Sequence, residues 1–296
     1  MRALAFVLVA VTALATGTQA QTIQELIAKL KLTWNTPTEP FRIIGNVYYV
    51  GTAGLASYLI TSPQGHVLID TGLPEATPLI KASIVKLDFK LTDIKQLLNT
   101  HAHLDHTGGL AELKKDTGAP LAASAPDKPL LEGGYYPGQE DDKSLAFPPV
   151  KVDRVIGEGD KVTVGDVTLT ALMTPGHSPG CTSWTLTVRE NNQDHNVIIF
   201  CSATVALNQL VGKPTHSTII ADYRKTFARA RDIKADVFLA PHPEMYGMME
   251  KRALIGEGKP NPFVKAGEFN TYVAELEKAF DTELAKQTAA AQEKKN

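Results

Sequence analysis

Only two cysteines, Cys181 and Cys201, occur in 296 residues. That number excludes a metal site built from thiolates alone, which takes about four. Charge of one sign is not in excess either: 30 Lys and Arg stand against 32 Asp and Glu, a formal net charge of −2. The chain therefore carries no basic footprint for nucleic acid or an anionic membrane. Past the N-terminus it also lacks an apolar run approaching the roughly 20 residues that a membrane-spanning helix needs. Ala3 to Ala15 is apolar but too short to span comfortably; Met1-Arg2 precedes it and Thr18-Gln19-Ala20 follows. A cationic start, a short apolar run and small residues at the cleavage position predict a secretory signal peptide over residues 1–20 and a periplasmic or secreted mature chain. No Ser-His-Asp triad is apparent.

What the chain does hold is hydrophobic content of 43%, enough for a sizeable core, and a dense cluster of metal-binding side chains. Thr100-His101-Ala102-His103-Leu104-Asp105-His106-Thr107-Gly108-Gly109 places three of the eight histidines and a carboxylate within six residues. Ile94 to Asn99 before it reads as a short strand, and Gly108 to Lys115 after it as the start of an amphipathic helix. Residues two apart do not share a helix face, so His101 and His103 converge on one ion only from extended or looped backbone. Asp105 and His106, further along the turn, are free to face a second.

Taken in order, Ile23 to Leu32 has a helical pattern that runs into Trp34 and a Pro-rich connector. Ile43 to Val50 and Ser57 to Ile60 alternate as strands, and His66 to Asp70 is a third. Asp70-Thr71-Gly72 ends that strand in an acid suited to holding a loop or orienting a ligand from behind. Ala76 to Leu87 reads as a helix. From Ala125 to Pro149 periodicity is lost; so long a loop is functional or mobile, and its Tyr135-Tyr136 pair either covers a ligand or is inert. Strands resume at Lys151 to Val155 and Lys161 to Met173, the latter turning at Gly165-Asp166. They lead to Pro175-Gly176-His177-Ser178-Pro179-Gly180, a rigid turn presenting a histidine. Trp184 to Val188 and Val197 to Phe200 form a hairpin across a polar turn from Glu190 to Asn196. Tyr223 to Asp232 is a helix, Val237 to Ala240 a strand capped by Pro241-His242-Pro243, and Glu268 to Lys286 an amphipathic helix. Residues 287–296 read as a frayed polar tail. His66, His195 and His216 read as surface residues outside the site.

Six ligand candidates result: His101, His103 and His177 for one ion, and Asp105, His106 and His242 for another. Three protein ligands per ion leave coordination positions open, as catalysis requires. Imidazole and carboxylate without thiolate suit zinc first, with iron or manganese next. Two ions about 3.5–4 Å apart lower the pKa of a shared water towards about 7, which is hydrolytic chemistry. Cys181 and Cys201 flank the hairpin, where a disulfide and a free pair both remain open.

His101-x-His103-x-Asp105-His106, then His177 in Gly-His-Ser-Pro-Gly, His242 after a strand, and Asp70-Thr-Gly upstream together resemble the metallo-β-lactamase superfamily from about Ile43 to His242. The resemblance implies an α/β fold, the αβ/βα four-layer sandwich: two mixed β-sheets face to face, helices on the outer faces, metals at one edge. It implies a single domain over 21–296, with an N-terminal extension at 21–42, a core at 43–286 and the polar tail. Glyoxalase-type and lactonase-type members usually carry a metal-bridging aspartate after the hairpin strand, and one lactamase subgroup carries a cysteine ligand there; this chain has Ser202, with Cys201 one residue earlier. It thus resembles the broad-spectrum class B subgroup. That implies two Zn2+ per chain, Ser202 and Thr204 at the substrate carboxylate, Asp105 orienting the attacking water, and Asp70 behind the ligands. The implied reaction is hydrolysis of the β-lactam amide in penicillins, cephalosporins and carbapenems, conferring antibiotic resistance. The partner is then a small-molecule β-lactam, with no nucleic acid, no membrane association after signal cleavage, and a monomeric chain. A one-residue shift would make Cys201 a ligand instead. Alternatives are a lactone or thioester hydrolase of the same fold and a periplasmic zinc-binding protein without turnover.

Overall fold

The central strands of the first sheet are buried on both faces, and their alternation builds two cores at once. In a computed structural model, which describes Glu25 and residues 28–293, Leu59, Leu68 and Leu97 pack into one cluster while Ile60, Val67, Ile69 and Leu98 pack into another. Successive side chains of a strand point to opposite faces, so each strand feeds both layers. The predicted signal peptide, 1–20, lies outside the described residues. Residues 28–34 are helical (α1).

One sheet has seven strands in sequential order: β1 (Phe41–Ile44), β2 (Val47–Tyr49), β3 (Tyr58–Ser62), β4 (Gly65–Ile69), β5 (Ile94–Leu98), β6 (Leu121–Ser124) and β7 (Arg154–Ile156). The first four pair antiparallel and β4 to β7 pair parallel. The second sheet has five: β8 (Lys161–Val164), β9 (Val167–Met173), β10 (Thr182–Glu190), β11 (Gln193–Ile199) and β12 (Val237–Leu239), antiparallel except for β11 with β12. Both sheets are mixed. Trp184, Val188, Val197 and Ile199 of the second share a buried cluster with Tyr58, Ile60 and Val67 of the first.

Helices α2 (Thr77–Lys86) and α4 (Leu110–Thr117) cover the first sheet with Ile80, Ile84, Leu110 and Leu113. Helices α6 (Ile219–Ala230) and α8 (Glu268–Glu293) cover the second with Tyr223, Phe227, Phe269 and Phe280. Shorter helices are α3 (Leu104–Thr107), α5 (Lys128–Gly133) and α7 (Met248–Ala253). This is the expected two-sheet sandwich with helices outside.

Several local expectations shift. Ile43 to Val50 is two strands rather than one, because Gly45 at φ +48° opens a two-residue turn that pairs Ile44 with Val47. The β10–β11 hairpin turns at Asn191 and Asn192, at φ +50° and +63°, so the polar residues on either side belong to the strands. His195 therefore pairs with Val188 and is buried, and His66 lies buried on β4 against Phe89; neither is the surface residue its polarity suggested. His216 is half-buried beside Asp222. The 125–149 stretch contains α5, and helix α8 runs to Glu293, beyond the expected boundary at 286.

Candidate metal centre

Parallel strands that stop at the same edge bring their loops together there. Asp70 follows β4, the His101–His106 segment follows β5, Ser202 follows β11 and His242 follows β12, while His177 arrives from the β9–β10 loop. Donor atoms of His101, His103 and His177 lie within 4.8 Å of one another, and so do those of Asp105, His106 and His242. The imidazole of His101 sits 4.4 Å from those of both His103 and His106, centroid to centroid, which sets the two groups side by side. The first three histidines are buried. Asp105 Oδ2 lies 3.2 Å from His106 Nε2 and 3.3 Å from His242 Nε2.

The surroundings choose the imidazole tautomers. Asp70, fully buried, accepts the Thr100 N–H at 2.7 Å and the Thr100 hydroxyl proton at 2.7 Å. The hydroxyl proton being spent, Thr100 Oγ1 can only accept from His101 Nδ1, 3.0 Å away. His101 then carries its proton on Nδ1, leaving the Nε2 lone pair free. His177 Nδ1 lies 2.8 Å from the Thr204 carbonyl, an acceptor, and is protonated by the same logic. His101 Nε2 and His103 Nε2 are buried without a partner. Orphaned lone pairs converging in a buried spot fit a cation.

Electrostatics agree. Burial, reinforced by neighbouring imidazoles, holds His101 and His103 well below the ordinary histidine range, and burial takes His177 down to about 4. All three are neutral, the form that ligates. Burial would raise the Asp105 carboxyl, but His106 and His242 outweigh it and leave it well below the usual carboxylate range. Burial pushes Asp70 up to about 6 against the pull of His106 and Thr100.

The walls were less visible in the sequence. Tyr136 stacks on His103 at 4.2 Å and 20°, and Trp34, the last residue of α1, tilts against His242 at 5.5 Å. Ser202 is buried, its hydroxyl 3.1 Å from that of half-buried Thr204. Cys181 and Cys201 form a disulfide with Cα atoms 5.8 Å apart. Its Cys201 sulfur lies 3.5 Å from His101 Nδ1, but a bonded sulfur is no thiolate, so the shifted alignment with Cys201 as a ligand is excluded.

The profile of the metallo-β-lactamase superfamily matches residues 54–242, from the first sheet through His242. The chain belongs to the metallo-β-lactamase superfamily. Among solved superfamily structures, a subclass B3 metallo-β-lactamase of Bradyrhizobium japonicum is 61% identical, covering 88% of this chain and 98% of that one with a TM-score of 0.86. A native metallo-β-lactamase from Legionella gormanii is 38% identical over 86% of this chain and 98% of its own, with a TM-score of 0.82. A hydroxyacylglutathione hydrolase of Rhodopseudomonas palustris is 37% identical over 121 residues, 41% of this chain. The match spans only 39% of that protein's length. Superfamily members use zinc, and the imidazole and carboxylate donors found here suit that ion. No helix among the described residues is long and apolar enough to cross a membrane.

Proposed function

We propose that this protein is a zinc-dependent β-lactam hydrolase of the subclass B3 kind. The observation that carries this reading is the pair of three-donor groups side by side, with a serine, not a carboxylate, on the loop after β11. Near-complete coverage of a 61% identical B3 lactamase supports it. His101, His103 and His177 would hold one zinc, and Asp105, His106 and His242 the other. When bound, zinc supplies Lewis-acid polarisation of the carbonyl and an acidified water.

The chain's own groups do the positioning. Thr100 and the Thr204 carbonyl hold the His101 and His177 protons on Nδ1, away from the ions. Asp105 accepts a hydrogen bond from the attacking water, aiming it at the amide carbon. The Ser202–Thr204 segment receives the substrate carboxylate. Tyr136 and Trp34 form apolar walls that keep bulk water off the histidines.

Partial likeness to the hydroxyacylglutathione hydrolases favours a second reading, thioester hydrolysis. Against it, the two donor groups share no bridging carboxylate among the described residues. Penicillin, cephalosporin, carbapenem and acyl-thioester substrates assayed side by side, before and after chelator, decide the matter. Chelator-sensitive turnover of the lactams is expected; thioester turnover alone would overturn the assignment.

The Cys181–Cys201 disulfide is consistent with export to the periplasm after removal of residues 1–20. We take the mature chain as one domain, 21–296, acting as a monomer on a small-molecule substrate.

A further inference from the structure

Asp127 stands at the N-cap position of α5, yet its side chain makes no capping bond. An Asp there ordinarily accepts an N–H of the first helical turn. The carboxylate instead reaches across the edge of the sheet. Oδ2 accepts the N–H of Ala102, the residue between His101 and His103, at 2.9 Å. Oδ1 lies against Gly180, three residues past His177: a Cβ at Gly180 would collide with Oδ1, with the carboxyl carbon and with the Ser124 hydroxyl. Ser124 Oγ completes the clasp by donating to the Gly180 carbonyl at 2.8 Å. Asp127 is 1% exposed. Burial pushes its carboxyl up to about 7, against the pull of the Ala102 N–H.

We propose that Asp127 is a positioning residue for the three-histidine group: it fixes the distance between the loop carrying His101 and His103 and the loop carrying His177. This rests on the metal-site reading above. Both backbones that supply this group meet this one buried carboxylate, and among the described residues no hydrogen bond joins it to Asp105, His106 or His242. Side chains behind metal ligands typically govern about 10- to 100-fold in metal affinity. Asp127 acts on the backbone of the ligand loops rather than on an imidazole nitrogen. Gly180 is required because the carboxylate occupies the space of its side chain.

The test is Zn2+ titration of the metal-free full chain against a chromophoric chelator, with Co2+ spectra to tell the three-histidine group from the carboxylate-containing one. Wild-type protein is the control, expected to bind two ions; if it binds none, the metal-site reading itself falls and this inference with it. Asp127→Ala is expected to weaken the three-histidine step by about 10- to 100-fold while leaving the other within about threefold. Asp127→Asn keeps an acceptor for Ala102 and should recover part of the loss. Two bound ions at wild-type affinity in Asp127→Ala, or an equal loss at both steps, would overturn the proposal while sparing the metal-site reading. Should Asp127→Ala fail to fold, Asp127→Asn decides: a loss confined to the three-histidine step supports the inference, and an unchanged or uniform titration refutes it.

Discussion

Replacing Asp70 by asparagine separates fold stability from metal affinity. The wild-type carboxylate takes two bonds from Thr100, each at 2.7 Å, in a fully buried spot. In Asp70→Ala both acceptors vanish and a buried N–H is orphaned, a loss of about 3–6 kcal/mol for two charge-assisted bonds. Removing the buried charge offsets this: a carboxyl raised from 3.8 to about 6 costs the fold roughly 3 kcal/mol at neutral pH. The net loss is then about 0–3 kcal/mol. Asparagine also removes the charge and keeps the acceptor for the Thr100 N–H, so its net effect on stability is within about 1 kcal/mol. Its amide, however, donates where the carboxylate accepted. Thr100 Oγ1 must then receive a proton from residue 70 and point its own at His101 Nδ1, 3.0 Å away. His101 is driven to carry its proton on Nε2, the nitrogen facing the other ligands. Asp70→Asn should therefore unfold in denaturant much like wild type while binding zinc about tenfold more weakly, as expected for loss of one favourable hydrogen bond. Nitrogen NMR of the metal-free protein reads the tautomer directly. A variant that binds zinc normally with His101 still protonated on Nδ1 would refute the reasoning.

Acidification should empty the two groups in order. His242 is desolvated, yet its Asp105 partner raises it above the ordinary histidine value, whereas His177 stays neutral down to about 4. Protons thus compete at the Asp105–His106–His242 group first as pH falls, and metal content followed by dialysis from pH 7 to 4 should drop through a one-ion stage. The disulfide closes a loop with a sequence separation of 20, so Cys181→Ala with Cys201→Ala should lower unfolding free energy by about 3 kcal/mol in denaturant titrations. Gln287 accepts the Leu210 N–H at 2.7 Å and donates to the Asn208 carbonyl at 3.1 Å, pinning the loop after Ser202. Gln287→Ala should cost about 1–2 kcal/mol locally, raise KM more than it lowers kcat, and increase hydrogen exchange at residue 210.

Much of the centre was legible because it is local. The His101–His106 spacing names its own backbone conformation, and His177 and His242 are framed by prolines and glycines that mark rigid turns. Less legible were the groups whose roles depend on distant partners. Asp127 falls in the 125–149 stretch that reads as irregular, and nothing near it in sequence reveals that its carboxylate reaches residues 102 and 180. Tyr136 was legible only as one of an aromatic pair able to cover a ligand, and the packing of Trp34 on His242 has no sequence counterpart. The buried His66 and His195 and the bonded Gln287 failed a polarity rule for a related reason: burial is set by what packs on top.

The sequence by itself determined the donor types, their division into two sets of three, and the strand alternation that makes a two-sided sheet. These follow from residue chemistry and from spacings of a few residues. Only the tertiary structure decided that the six donors meet, that Cys181 and Cys201 are joined, and which nitrogen of His101 and His177 is free. Each of these depends on register between strands remote in sequence and on carbonyls and hydroxyls that the register delivers.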